Sequence, residues 1–110
     1  MNSKELMIGD WVLYGDKSVK VLQLSENSEY DWVKPILLTP EILEKNGWKR
    51  YGTFMDVMAD EDTHFSWGED KYGAMLYQDE CYMCNCKYVH TLQHALRLCG
   101  FDELADNFKV

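Results

Sequence analysis

Hydrophobic and polar positions repeat most regularly near the end of the chain, from Lys87 to Gly100. At a period of 3.6 residues Val89, Leu92, Ala95, Leu96 and Cys99 share one face. That face is wide enough to cover a sheet and predicts an amphipathic helix. His90, Gln93, His94 and Arg97 form a polar stripe on the other side. Gly100 follows the last periodic residue, where a left-handed cap is expected, and Phe101 is placed to fold back on Leu96.

Upstream the pattern shortens to strands. A turn at Gly9-Asp10 leads into Trp11-Val12-Leu13-Tyr14, Gly15-Asp16 turns the chain, and Ser18 to Leu24 alternates, so the two runs predict a hairpin. Tyr30 to Val33 adds a third short strand, giving a small SH3-like sheet over residues 1–35. Leu38 to Trp48 then carries the signals of a two-turn helix. Thr39 is its N-cap, Pro40 takes the first helical position and Glu41 complements the dipole. Leu38 and Leu43 are spaced as a hydrophobic staple, Gly47 sits at C′, and Trp48 can return onto Leu43.

Beyond it, Tyr51 to Met58, Thr63 to Trp67, Tyr72 to Tyr77 and Cys81 to Cys86 read as strands, with turns at Gly68–Lys71 and Gln78–Glu80. Sequential hairpins imply an antiparallel meander covered by the C-terminal helix. Asp102 is placed to cap a last turn from Glu103 to Asn107. The expected fold is α+β, one domain over 1–110, with an SH3-like subregion (1–35) and an α+β subregion (36–110). Leu43, Trp48, Val89, Leu92, Leu96 and Phe101 are its expected core.

Three fragments together resemble a family of small proteins from Bacteroidetes genomes, their prophages and mobile elements. They are Glu5-Leu6 with Ile8-Gly9-Asp10-Trp11-Val12, the run Ile36 to Gly47 around Leu38-Thr39-Pro40-Glu41, and Lys87-Tyr88-Val89-His90 with Leu92-Gln93. The resemblance implies a setting, namely bacterial or phage-borne, cytoplasmic and accessory, and no particular activity.

Composition narrows the function. The chain has 110 residues, 46% of them hydrophobic, enough for one core. Its formal charge is −8, and the excess lies in the second half. No basic footprint for nucleic acid or an anionic membrane is present. The first ten residues lack the pattern of a secretory signal, and no apolar run approaches the ~20 residues of a membrane span. Cytoplasmic residence is therefore expected, with the four cysteines reduced.

Three constellations carry chemistry. Cys81, Cys84 and Cys86 with His90 and His94 have the donor types of a zinc site. Their spacing is too short for a finger, however, and strand alternation turns Cys84 and Cys86 away from Cys81. The expectation is no metal and no cofactor, with a small zinc-stabilised domain as an alternative. No glycine-rich phosphate loop and no nucleophile–base surroundings are legible, so an enzyme is not expected.

The stripe His90, Gln93, His94 and Arg97 is a candidate small-anion or nucleotide site, in which Arg97 grips a phosphate. Its bland counterpart is an ordinary solvated helix face. The third constellation is acidic: Asp56, Asp60, Glu61, Asp62, Glu69, Asp70, Asp79 and Glu80 are interleaved with Phe65, Trp67, Tyr72 and Tyr77. Of these, Asp60, Glu61, Asp62, Phe65, Trp67, Glu69 and Asp70 form the candidate contact surface for a basic host protein. Its counterpart is a set of solubilising hairpin turns. The leading expectation is a non-enzymatic binding protein of a phage or mobile element that modulates a host defence system. A nucleotide-sequestering protein is the alternative, and a homo-oligomer is left open.

Overall fold

The computed structural model describes residues 5–22 and 33–110. The expected strand from Tyr30 falls outside them except for Val33, and the end of the Ser18–Leu24 run falls outside as well. The described residues divide into two units. One holds those up to Leu37 together with Tyr88–Phe108 and Val110; the other holds Leu38–Lys87 and Lys109.

In the first unit, β1 (Trp11–Tyr14), β2 (Lys17–Lys20) and β3 (Val33–Pro35) form an antiparallel sheet in the order β2-β1-β3. The Gly15-Asp16 turn sets the β1–β2 register, pairing Tyr14 with Lys17 and Trp11 with Lys20. Val12 and Val33 pack with Leu6 in a small core, with Val21 against it. The same unit contains α2 (Val89–Leu98) and α3 (Asp102–Asp106). Val89, Leu92, Ala95 and Leu96 are buried, as the periodicity predicts, while Cys99 and Phe101 are only half-buried.

The C-terminus of α2 is a Schellman cap. Gly100 lies at φ +87°, its N–H donates to Arg97 O, and Phe101 N–H donates to Leu96 O. The expected cap at Asp102 is not formed. Asp102 is the first residue of α3, and Phe101, which offers no side-chain acceptor, stands at the N-cap.

The second unit begins with α1 (Pro40–Lys45), where the predicted capping chemistry is present in full. Thr39 Oγ1 accepts from Ile42 N–H at 3.2 Å. Gly47 N–H donates to Glu44 O and Trp48 N–H to Leu43 O, which places both buried apolar side chains together.

A five-stranded antiparallel meander follows: β4 (Lys49–Tyr51), β5 (Phe54–Met58), β6 (His64–Asp70), β7 (Gly73–Gln78) and β8 (Cys81–Asn85). Several boundaries shift by one residue from the sequence reading, and two differ by more. The expected Tyr51–Met58 strand starts only at Phe54, because Gly52 (φ +62°) and Thr53 form a two-residue turn that pairs Tyr51 with Phe54. The expected turn at Gly68–Lys71 tightens to Lys71-Tyr72, because β6 runs on through Gly68. The ring of Phe54 lies over that glycine: a Cβ there would be 2.7 Å from Phe54 Cδ1. Met55, Phe65, Trp67, Ala74 and Leu76 turn to the buried face. No helix among the described residues is long and apolar enough to cross a membrane.

Candidate functional site

The polar stripe of α2 is turned inward. Gln93 is fully buried, and its amide is satisfied at every position used to hold the chain start. Its Oε1 accepts from Trp11 N–H at 2.9 Å, and its Nε2 donates to Gly9 O at 2.9 Å and Ala105 O at 3.0 Å. The position an anion would take beside Arg97 is filled by the chain's own Asp10, which is 0% exposed.

Asp10 Oδ1 accepts from Arg97 Nη1 at 2.7 Å, and Oδ2 lies 2.6 Å from His94 Nε2 and accepts from Met7 N–H at 2.8 Å. Arg97 Nη2 reaches Asp106 Oδ1 at 3.3 Å. Burial alone would raise the Asp10 carboxyl. The hydrogen bonds from His94, Arg97 and Met7 outweigh it and hold the group below the ordinary carboxylate range.

Gly9 is required here twice over. Its φ is +96°, and a methyl group on it would lie 2.8 Å from Arg97 Nη2. His90 stacks on Tyr88 and stands edge-on to His94, with ring centres 5.9 and 5.5 Å apart. Its Nδ1 is buried without a hydrogen-bond partner among the described residues. Burial, then the neighbouring His94, depress its pKa against the opposing pull of Asp10 and Glu5. The four stripe residues are thus brought together, but around an internal carboxylate.

None of the four cysteines is in a disulfide: Cys81 is exposed, Cys84 and Cys99 are half-buried, and Cys86 is buried. Cys81, Cys84 and Cys86 belong to the meander unit, whereas His90 and His94 belong to the other. Among the described residues no three His, Cys, Asp or Glu side chains converge as a metal set would. Burial, and then the nearby Cys84, push the Cys86 thiol far above its ordinary range, so it holds its proton.

The acidic constellation separates into two kinds of residue. Phe65 and Trp67 are 0% and 2% exposed, and Trp67 Nε1 donates to Cys86 O at 2.7 Å. They are core residues of the sheet and cannot be contact residues, which corrects the expectation for both. The strand period turns them to the same face as Met55 and Leu76.

The carboxylates are exposed, and several shape turns. Asp60 Oδ1 accepts from Asp62 N–H and Thr63 N–H, both at 2.8 Å, and Asp70 Oδ1 accepts from Tyr72 N–H at 2.7 Å. Glu61 and Glu69 are exposed beside them.

The opposite face of the meander gathers Asp56 and Tyr77 of that constellation with residues that reasoning from sequence passed over. The register sets Lys49, Asp56, Ser66 and Tyr77 in one row across four strands. Tyr51, Phe54, Gly68 and Met75 form a second row, and Met58 with His64 form a third. Tyr77 meets Phe54 and Tyr82 edge-to-face, with ring centres 5.8 and 6.0 Å apart.

Tyr51, Phe54, Met58 and Tyr82 are exposed large hydrophobics. Tyr51, Phe54 and Met58 line one or both of two adjoining grooves of about 560 and 400 Å³ that share Tyr51, Asp56 and His64. Asp56 Oδ1 is hidden from solvent and has no hydrogen-bond partner among the described residues. The legible signal was the alternation of His64 and Ser66 against Phe65 and Trp67. The companions of those two polar residues on β4, β5 and β7 depend on pairings between strands.

Compared with protein-family models, curated proteins and solved structures, the chain matches none.

Proposed function

We propose that this chain is a non-enzymatic binding protein that engages a basic partner protein through the open face of its meander. The observation that carries the reading is a set of exposed aromatic and thioether side chains, Tyr51, Phe54, Met58 and Tyr82, spread over three rows of a sheet face whose turns bear carboxylates. Glu69 and Asp70 line a hollow beside Phe54 and Tyr77, and Glu80 lines the groove at Tyr77. Exposed aromatics give rigid anchors once contact is made, and the surrounding negative charge speeds approach of a basic surface.

This reading moves the contact residues from Phe65 and Trp67 to their neighbours on the other face. It keeps the exposed carboxylates Asp60, Glu61, Asp62, Glu69 and Asp70 as the steering charge. The resemblance to proteins of phages and mobile elements supports a cytoplasmic accessory role against a host defence protein. The anion-sequestering alternative has no comparable support, since Asp10 occupies Arg97 and His94.

The test is capture of a basic protein from host extract by immobilised chain, compared with a Tyr51→Ser, Phe54→Ser variant and with Asp60→Asn, Glu61→Gln, Asp62→Asn. Loss of the captured protein with the first variant, and slower capture as salt rises with the wild type, are expected. Unchanged capture by the Tyr51, Phe54 variant overturns the reading.

A further inference from the structure

Resting on that reading, we infer that the groove around Asp56 is a slot for a single arginine side chain of the partner. Asp56 and Ser66 stand next to each other across β5 and β6 and form a short-chained floor. Tyr51 and Phe54 rise in the row on one side, and Met58 and His64 in the row on the other. Tyr77 closes the end of the Asp56–Ser66 row, and Glu80 lines the same groove of about 400 Å³.

The chemistry of the floor selects the ligand. Asp56 and Glu80 both line this groove, so the occupant should bring positive charge and N–H groups. That requirement excludes an anion, and equally a quaternary ammonium, which has aromatic affinity but no donor. Lys49 stands in the same row at the sheet edge, yet Asp56 Oδ1 receives no hydrogen bond from it.

A guanidinium and a primary ammonium remain. The guanidinium is flat, stacks on aromatic faces, offers five donors, and is more weakly hydrated than an ammonium. A slot with ring walls and one acceptor on its floor therefore favours arginine over lysine. Glu80 supplies a second negative charge in the same groove.

The experiment is an NMR titration of the whole chain with N-acetyl-arginine methylamide, its lysine counterpart, and its citrulline counterpart, which keeps the shape without the charge. Saturable shifts confined to Tyr51, Phe54, Asp56, Ser66 and Tyr77 are expected for arginine, weaker ones for lysine and none for citrulline. Asp56→Asn should abolish saturation. Tyr51→Ser, at a 63% exposed position where folding is not at stake, should weaken binding about two- to fivefold.

Equal response to citrulline, tighter binding of lysine, or wild-type binding by both variants overturns the slot. So does the lack of any saturable shift. In that last case, capture of the partner that still depends on Tyr51 and Phe54 leaves the protein-contact reading standing. Arginine binding at the slot, with partner capture unchanged in the Tyr51, Phe54 variant, supports the slot and overturns the contact reading instead.

Discussion

Two clusters of polar side chains in this protein are each built around an aspartate, Asp10 in one and Asp56 in the other, and differ in how that carboxylate is met. Asp10 is buried and saturated, with Arg97, His94 and the Met7 N–H all aimed at its two oxygens. Asp56 has an oxygen equally hidden from solvent that no described residue hydrogen-bonds. The first arrangement stabilises one geometry of its own unit, joining the start of the chain to α2. The second is the one on which the proposed arginine slot is built. Residue type and spacing offer the Arg97 stripe as an alternative small-anion site; its hydrogen bonds are taken up by Asp10.

Breaking the saturated cluster should have the largest effect. Asp10→Ala leaves the Arg97 guanidinium, whose side chain is only 10% exposed, without its nearest carboxylate. Removing one partner of a buried pair costs about 3–5 kcal/mol. Urea melts should show the loss. A change under about 1 kcal/mol would mean that the network is not what holds this unit. Leu92→Ala and Leu96→Ala, both at fully buried positions, should cost about 2–5 kcal/mol by the same measurement.

These two sets of residues differ in how far they were legible from sequence. Leu92 and Leu96 follow from a local period, as do the caps of α1 and α2, because every interaction involved lies within a few residues. Asp10 and Arg97 are 87 positions apart, and no periodicity announces their meeting. Phe54 over Gly68 is similar: the glycine reads as a turn until the strand register brings a ring above it. The Gly52-Thr53 turn lies inside what reads from sequence as one strand, Tyr51 to Met58. The α+β class and the alternation of β6 are local and could be read; the site consists of cross-strand rows and could not.

A smaller effect comes from pH, and its sign is the same for both groups involved. Asp10 and His90 each have a folded pKa below the ordinary value. Between the folded and unfolded values the unfolded chain binds more protons, so stability rises with pH. The His90 contribution is present above about 6.5 and is lost as pH falls from there through its folded pKa. The Asp10 contribution follows only below about 3.9. Melting temperature against pH should therefore fall in two steps on acidification, with His90→Gln removing the upper one. A profile rising between pH 7 and 5 would contradict the burial of a neutral His90.

The smallest effect on stability should come from the open face, which makes it the sharpest test of the contrast. Tyr51 is exposed, lies on the short edge strand β4, and makes no hydrogen bond among the described residues that would be lost with its ring. Tyr51→Ser should change stability by no more than about 0.5 kcal/mol, the usual range for surface positions. If Tyr51 serves binding, the same change should reduce partner capture and weaken the arginine probe, so the two readouts separate. Asp10→Ala should fail in the opposite sense, losing stability first and capture only as the chain unfolds. A Tyr51→Ser protein that melts several degrees lower would place that ring in the folding core, and the distinction between the two clusters would then rest on Asp56 alone.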